Sequence, residues 1–168
     1  SIPKMVMAYK PIREKVPFFR VQMDLLEIKP RSTEGFQYVM VVICVAVRYP
    51  YFRLLRKKEA QEVAFALFVV ILDMGVVPRI WQSDVGTEFK NAIMRELANF
   101  LGARQAFSMA LHPESQGINE NVNKQIKRCM TAFVDNVLRA RPEDWPLALP
   151  VAEAKLRQVP LTEDPSIT

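Results

Sequence analysis

The chain has 168 residues, 50% hydrophobic and 24% charged, which suits one globular domain with a sizeable core. A net charge of +5 and a pI near 9.4 favour an anionic partner, although a basic protein without such a partner has the same totals. Two cysteines and one histidine exclude a zinc site of the Cys/His type, and the chain has no Walker A motif, no Gly-x-Gly-x-x-Gly and no Gly-x-Ser-x-Gly elbow. Cys44 and Cys129 sit among apolar residues and read as small buried hydrophobes, as in a reducing compartment.

Residues 1–17 read as a basic, irregular arm, with Lys4, Lys10, Arg13 and Lys15 set among Pro3, Pro11 and Pro17. Ser1-Ile2-Pro3-Lys4 has neither a signal-peptide pattern nor a starting Met, so the chain reads as an excised domain. Residues 18–28 predict a strand in which Val21, Met23 and Leu25 alternate with Gln22, Asp24 and Leu26. Asp24 thereby falls inside an apolar segment, where a carboxylate needs a partner, often a metal. A capping or turn role near the strand end is the plainer alternative. Residues 29–35 carry turn chemistry. Residues 36–47, rich in Val and Ile, predict a central strand buried on both faces. Tyr49-Pro50-Tyr51 interrupts it, and residues 51–55 predict a short third strand. Two successive antiparallel hairpins are the simplest connection.

Residues 59–74 predict a helix whose segment 63–72 is apolar on every side. That segment is too short to span a bilayer. One side can pack on a sheet, and the other needs a second helix or another subunit. After a turn, residues 79–83 predict a fourth strand that delivers Asp84 at its C-terminal end. Residues 91–102 predict a second helix, with Ile93, Leu97 and Leu101 four apart and Gly102 as its stop. Residues 104–107 predict a fifth strand. Pro142 breaks the chain later, Asp144 is a candidate N-cap, and a last helix is expected over 145–158. Pro146 and Pro150 allow that helix to begin as late as Pro150. Residues 159–168 read as a tail.

Between the fifth strand and that break, a loop marked by His112, Pro113 and Gly117 turns into a helix. Ile118, Val122, Ile126, Cys129, Phe133 and Val137 make one apolar stripe. Glu120, Lys124, Lys127 and Thr131 make a second, about 200° around the helix. A carboxylate at the helix start beside cations suggests a site that handles metal and phosphate, whereas an ordinary amphipathic helix with a solvated face has the same pattern.

Three acidic residues then stand out: Asp24 within one strand, Asp84 at the end of another, and Glu120 at a helix start. Such a cluster repels itself unless divalent cations neutralise it. Mg²⁺ prefers carboxylate oxygens, waters and phosphates, and a pair of ions can activate an attacking hydroxyl and stabilise the leaving oxygen of a phosphoryl transfer. With 35 residues between Asp84 and Glu120, the pattern resembles the D,D(35)E arrangement of retroviral and retrotransposon integrase catalytic cores. The matching runs are Val21-Gln22-Met23-Asp24, then Ser83-Asp84-Val85-Gly86-Thr87-Glu88-Phe89, then Pro113-Glu114-Ser115-Gln116-Gly117-Ile118-Asn119-Glu120 with Asn123-Lys124 behind it. Asp144-Trp145-Pro146-Leu147-Ala148-Leu149-Pro150 also looks gammaretrovirus-like. The resemblance covers about residues 18–158.

The resemblance implies an α/β, RNase H-like fold: a five-stranded mixed sheet, three antiparallel strands first, flanked by helices. It divides the chain into the 1–17 arm, an 18–158 integrase-like core and the 159–168 tail. Asp24, Asp84 and Glu120 would be the catalytic residues and the ligands of two Mg²⁺ (or Mn²⁺) ions. Gln116 would lie near a DNA end and Asn123 would support the loop, while Lys124, Lys127 and Arg128 would contact DNA. For the lysines a solvated helix face stays open. The implied activity is 3′-end processing and strand transfer in DNA integration. The implied location is the nucleus, or a virion or pre-integration complex. The implied assembly is a homodimer through the 63–72 helix and the final helix, with no membrane and no zinc. The alternative is that the final helix of the same subunit covers the apolar helix. Departures from the family pattern are Cys44, Val85, Asn121 and Ala152-Glu153-Ala154-Lys155. They keep a second function open: a domesticated integrase-like module that binds nucleic acid or protein without catalysis. An RNase H-type nuclease shares the metal chemistry but matches the Glu120 run less well.

Overall fold

A computed structural model describes residues 16–102 and 141–158, together with Lys124, Arg128 and Ala132. Four strands form one sheet in the order β3-β2-β1-β4: β1 Arg20–Glu27, β2 Tyr38–Cys44, β3 Pro50–Leu55 and β4 Ile80–Gln82. β1–β2 and β2–β3 pair antiparallel, as the two expected hairpins require, while β4 joins β1 in parallel. Helix α1 (Ala60–Met74) supplies the crossover that a parallel neighbour needs. The sheet is therefore mixed, with four strands among the described residues. The fifth strand expected at 104–107 lies outside them.

Strand periodicity divides the side chains between two cores. Val21 and Met23 of β1, Met40 and Val42 of β2 and Trp81 of β4 face α1 and α2 (Thr87–Leu101). Val39, Val41 and Ile43 of β2 and Phe52 of β3 face the other way, onto Trp145, Ala148, Leu149 and Ala152. β2 is buried on both sides from Val39 onward, which explains its unbroken apolar run.

Helix α1 turns Val63, Ala64, Ala66, Leu67, Val70 and Ile71 inward. It is not buried all round, because Phe65 and Leu72 stay exposed, at 54% and 61%. Gly75 ends it in the left-handed conformation, φ +71°, and donates to the Ile71 carbonyl at 2.9 Å. Gly102 ends α2 in the same way. Helix α2 begins at Thr87, four residues before the expected start at 91, because Gly86 opens the helix and Glu88 suits the positive end of its dipole.

The final helix differs in its approach. Pro142–Ala148 forms a 3-10 stretch containing Pro142 and Pro146, and α3 runs Leu149–Gln158. Asp144 is not its N-cap. It lies within the 3-10 stretch, ion-paired with Arg141 Nε at 2.9 Å and accepting from the Thr33 hydroxyl at 3.3 Å. Trp145 is buried and donates from Nε1 to the Pro30 carbonyl at 2.8 Å, which ties this stretch to the β1–β2 loop. Helix α3 thus packs on the sheet face opposite α1. No helix among the described residues is long and apolar enough to cross a membrane.

Candidate active site

The two described carboxylates of the triad are positioned by the parallel ladder. β1 and β4 pair at Arg20–Ile80, Val21–Trp81 and Gln22–Gln82. Asp24 lies two residues beyond Gln22, and Asp84 two residues beyond Gln82. Asp24 is still within β1, paired with Val41 of β2, whereas Asp84 follows the end of β4; both stand at the same offset from the last shared rung. Val21 and Met23 belong to the helix-facing core, so Gln22 and Asp24 project to the opposite face. Asp24 is half-buried, which lightens the desolvation cost expected for a strand carboxylate, and its Oδ1 accepts the Leu25 N–H at 2.8 Å. Asp84 is exposed on the turn between β4 and α2, where the Ser83 hydroxyl accepts the Val85 N–H at 3.3 Å.

Three polar groups at this end were not singled out by the sequence reading. Gln22 and Gln82 are buried at 2% and 4% exposure, and Gln22 Nε2 donates to Gln82 Oε1 at 3.2 Å. Gln22 Oε1 is buried and takes no hydrogen bond among the described residues. Lys90, in the first turn of α2, is 3% exposed, and its Nζ has no hydrogen-bond partner among the described residues. It takes the end position of the buried stripe Lys90, Ile93 and Leu97. Burial pushes its pKa below the usual lysine value, against the opposing pull of the Asp84 carboxylate. The available signal was the shared offset: each glutamine precedes its aspartate by two residues.

The rest of the expected site is only partly described. Lys124 and Arg128 are helical and exposed, one turn apart on one face. Glu120, Gln116, Asn123 and Lys127 lie outside the described residues. Among those described, no three of His, Cys, Asp and Glu group closely enough to hold a metal ion. The Asp24 and Asp84 donor set is nevertheless of the hard-oxygen type that Mg²⁺ or Mn²⁺ takes.

The sequence profile of the integrase core domain matches residues 15–113, more than half of the chain. The chain belongs to the integrase core family. It is 29% identical over 129 residues to the retrovirus-related Pol polyprotein of transposon 412 from Drosophila melanogaster, covering 76% of this chain and 10% of that protein. It is 29% identical over 152 residues to the Gag-Pol polyprotein of feline leukemia virus, covering 88% and 8%. It is also 26% identical over 136 residues to human KRAB-A domain-containing protein 2, covering 80% and 27%. This integrase core thus spans about a tenth of the polyproteins it matches and about a quarter of the human protein. A cryo-EM structure of the simian T-cell lymphotropic virus intasome in complex with PP2A regulatory subunit B56 gamma has the same fold. Its TM-score is 0.67 at 16% identity, covering 90% of this chain and 53% of that one. The integrase core fold is RNase H-like, with helices on a mixed sheet.

Proposed function

We propose that this integrase core is a DNA polynucleotidyl transferase that works with two Mg²⁺ ions, performing 3′-end processing and strand transfer. The observation that carries the reading is that Asp24, within β1, and Asp84, just past β4, each stand two residues beyond the last rung those parallel strands share. Asp24, Asp84 and Glu120 would hold the cations. When bound, the ions supply activation of the attacking hydroxyl and charge stabilisation at the leaving oxygen. The Leu25 N–H orients the Asp24 carboxylate, and the exposure of Asp84 leaves its oxygens accessible from solvent. Exposed Lys124 and Arg128 are suited to backbone phosphates, and the charge of +5 favours the encounter.

The test is strand transfer with a labelled DNA end in Mg²⁺ or Mn²⁺, comparing the parent with Asp84→Asn. Activity in the parent and none in the variant is expected. Activity that survives Asp84→Asn would overturn the assignment. A second reading, a host-encoded module that binds nucleic acid without catalysis, is supported by the similarity to the human protein and by the departures at Cys44, Val85 and Asn121. It predicts salt-sensitive DNA binding with no transfer by the parent.

The assembly we propose is a homodimer through α1 and the final helix. Phe65, Phe68 and Phe100 form an aromatic cluster with centroids 5.7–6.4 Å apart on the outer side of α1 and α2. Leu147 and Val151 are exposed beside α3. Helix α3 of the same subunit packs on the opposite sheet face, which favours another copy over self-coverage of α1. Light scattering should find a dimer that Phe65→Asp converts to a species near 19.3 kDa. A parent that stays monomeric on concentration would remove this interface.

A further inference from the structure

We infer that Gln22 and Gln82 form a positioning clasp for the carboxylates of Asp24 and Asp84, a role that rests on those carboxylates binding divalent cations. β4 is three residues long and meets β1 over three rungs, of which Gln22–Gln82 is the last before the aspartates. A parallel ladder this short gives its end little restraint, and there the carboxylates must be held in a fixed relation to share an ion. The side-chain bond at 3.2 Å adds a link between the strands at that terminal rung. It projects from the face of β1 that also bears Asp24, opposite Val21 and Met23.

The chemistry of the pair is otherwise hard to account for. The neighbouring positions on this sheet face, Leu26, Val39, Val41 and Ile43, are apolar and buried, so an apolar pair would extend an existing core. Two buried amides there are costly unless their bonds have a use. Exchanging O and N in both amides keeps one donor–acceptor bond between the strands, whereas exchanging them in one alone sets like atoms together, so the two orientations are coupled. Gln22 Oε1, buried and without a hydrogen bond among the described residues, adds an acceptor one strand repeat below Asp24. Neither glutamine is a catalytic residue in this account, since each acts through the aspartate two residues on.

Mn²⁺ titration calorimetry tests the clasp, with thermal melts run in parallel. The proteins compared are the parent, Gln22→Met, Gln82→Met, the double variant and Asp84→Asn. Met keeps the length of the side chain and removes the amide. Each single variant should weaken Mn²⁺ binding about tenfold, the scale of losing an outer-shell partner. The double variant should be no weaker than either single, because each single already breaks the same bond. Gln82→Asn, which keeps an amide but shortens its reach, should weaken Mn²⁺ similarly and serves if the Met variants do not fold. Melting temperatures that fall while Mn²⁺ affinity holds would make the pair merely structural and overturn the clasp. Losses that add in the double variant would overturn it as well. Mn²⁺ binding lost in Asp84→Asn but untouched in the glutamine variants overturns the clasp alone. A parent that binds no Mn²⁺, or an Asp84→Asn variant that binds it normally, overturns the metal reading and the clasp together.

Discussion

Among the described residues, the two outermost strands of the sheet end in opposite ways. At the β3 edge the outward groups of Pro50 and Phe52 are satisfied within the fold. Glu153 of α3 accepts the outward Phe52 N–H at 2.9 Å, and Arg157 donates to the Pro50 carbonyl at 2.9 Å. The two side chains pair with each other at 2.8 Å, one helical turn apart, and Arg157 also lies over the ring of Tyr49 at 4.3 Å. Pro50 brings no N–H to that edge. The Pro50–Phe52 part of the edge is thereby closed to pairing with another strand. On the β1–β4 side the balance is reversed: Gln22 Oε1 and Lys90 Nζ are buried without hydrogen bonds among the described residues, and Asp84 stands exposed. One edge uses its polar groups for stability. The other buries polar groups that have no hydrogen bond among the described residues, at some expense in stability.

That contrast breaks most sharply at Asp84. Asp84→Asn should abolish Mn²⁺-dependent transfer while leaving the melting temperature close to that of the parent, since an exposed carboxylate holds little of the fold together. A variant that unfolds instead would assign Asp84 to structure. The mirror experiment is Glu153→Ala at the closed edge. It leaves the buried Phe52 N–H without its acceptor and Arg157 without its ion pair, and should cost about 1–3 kcal/mol in a denaturant melt. Mn²⁺ affinity should not move. Glu153→Gln, which keeps an acceptor oxygen, should recover part of the loss. Equal losses in the Gln and Ala variants would show that the N–H is not what Glu153 serves.

How legible each edge was follows from the range of the interactions. The strands were readable because alternation is local: Val21 and Met23 against Gln22 and Asp24, and the unbroken run of β2. The aspartates were readable because Asp24 interrupts an apolar strand and Asp84 follows the end of another. The edge closure was not, since Glu153 meets Phe52 across 101 residues and the sequence shows it only as a polar helix position. The first turn of α2 was missed because Lys90 occupies the stripe position that an apolar residue would have marked. The Gln22–Gln82 bond needed the parallel register, which periodicity does not give. Glu120, Gln116, Asn123 and Lys127 were named from the family pattern and lie outside the described residues.

Lys90 gives the smallest effect and the finest measure of the contrast. A buried ammonium with no hydrogen-bond partner among the described residues costs stability, and the Asp84 carboxylate offsets part of that cost, so Lys90→Met should raise stability at neutral pH by about 1 kcal/mol. The pH dependence identifies the cause. Burial lowers the Lys90 pKa in the folded state below 10.5, so the penalty is full at pH values beneath that lowered pKa, where both states carry the proton. As pH rises from there towards 10.5, the folded protein releases its proton before the unfolded chain does, and stability climbs. Lys90→Met should lack that climb. Tyr51 works in the opposite sense: burial raises its pKa above 10.0, so it removes stability as pH rises past that value. The informative quantity is therefore the difference between parent and variant at each pH, in which Tyr51 cancels. That difference should be largest at neutral pH and shrink on the alkaline side. In an Asp84→Asn background, with the attracting carboxylate gone, the gain from Lys90→Met should be larger still. A gain that is constant across pH would trace to packing alone and leave the Lys90 charge without a role at the open edge.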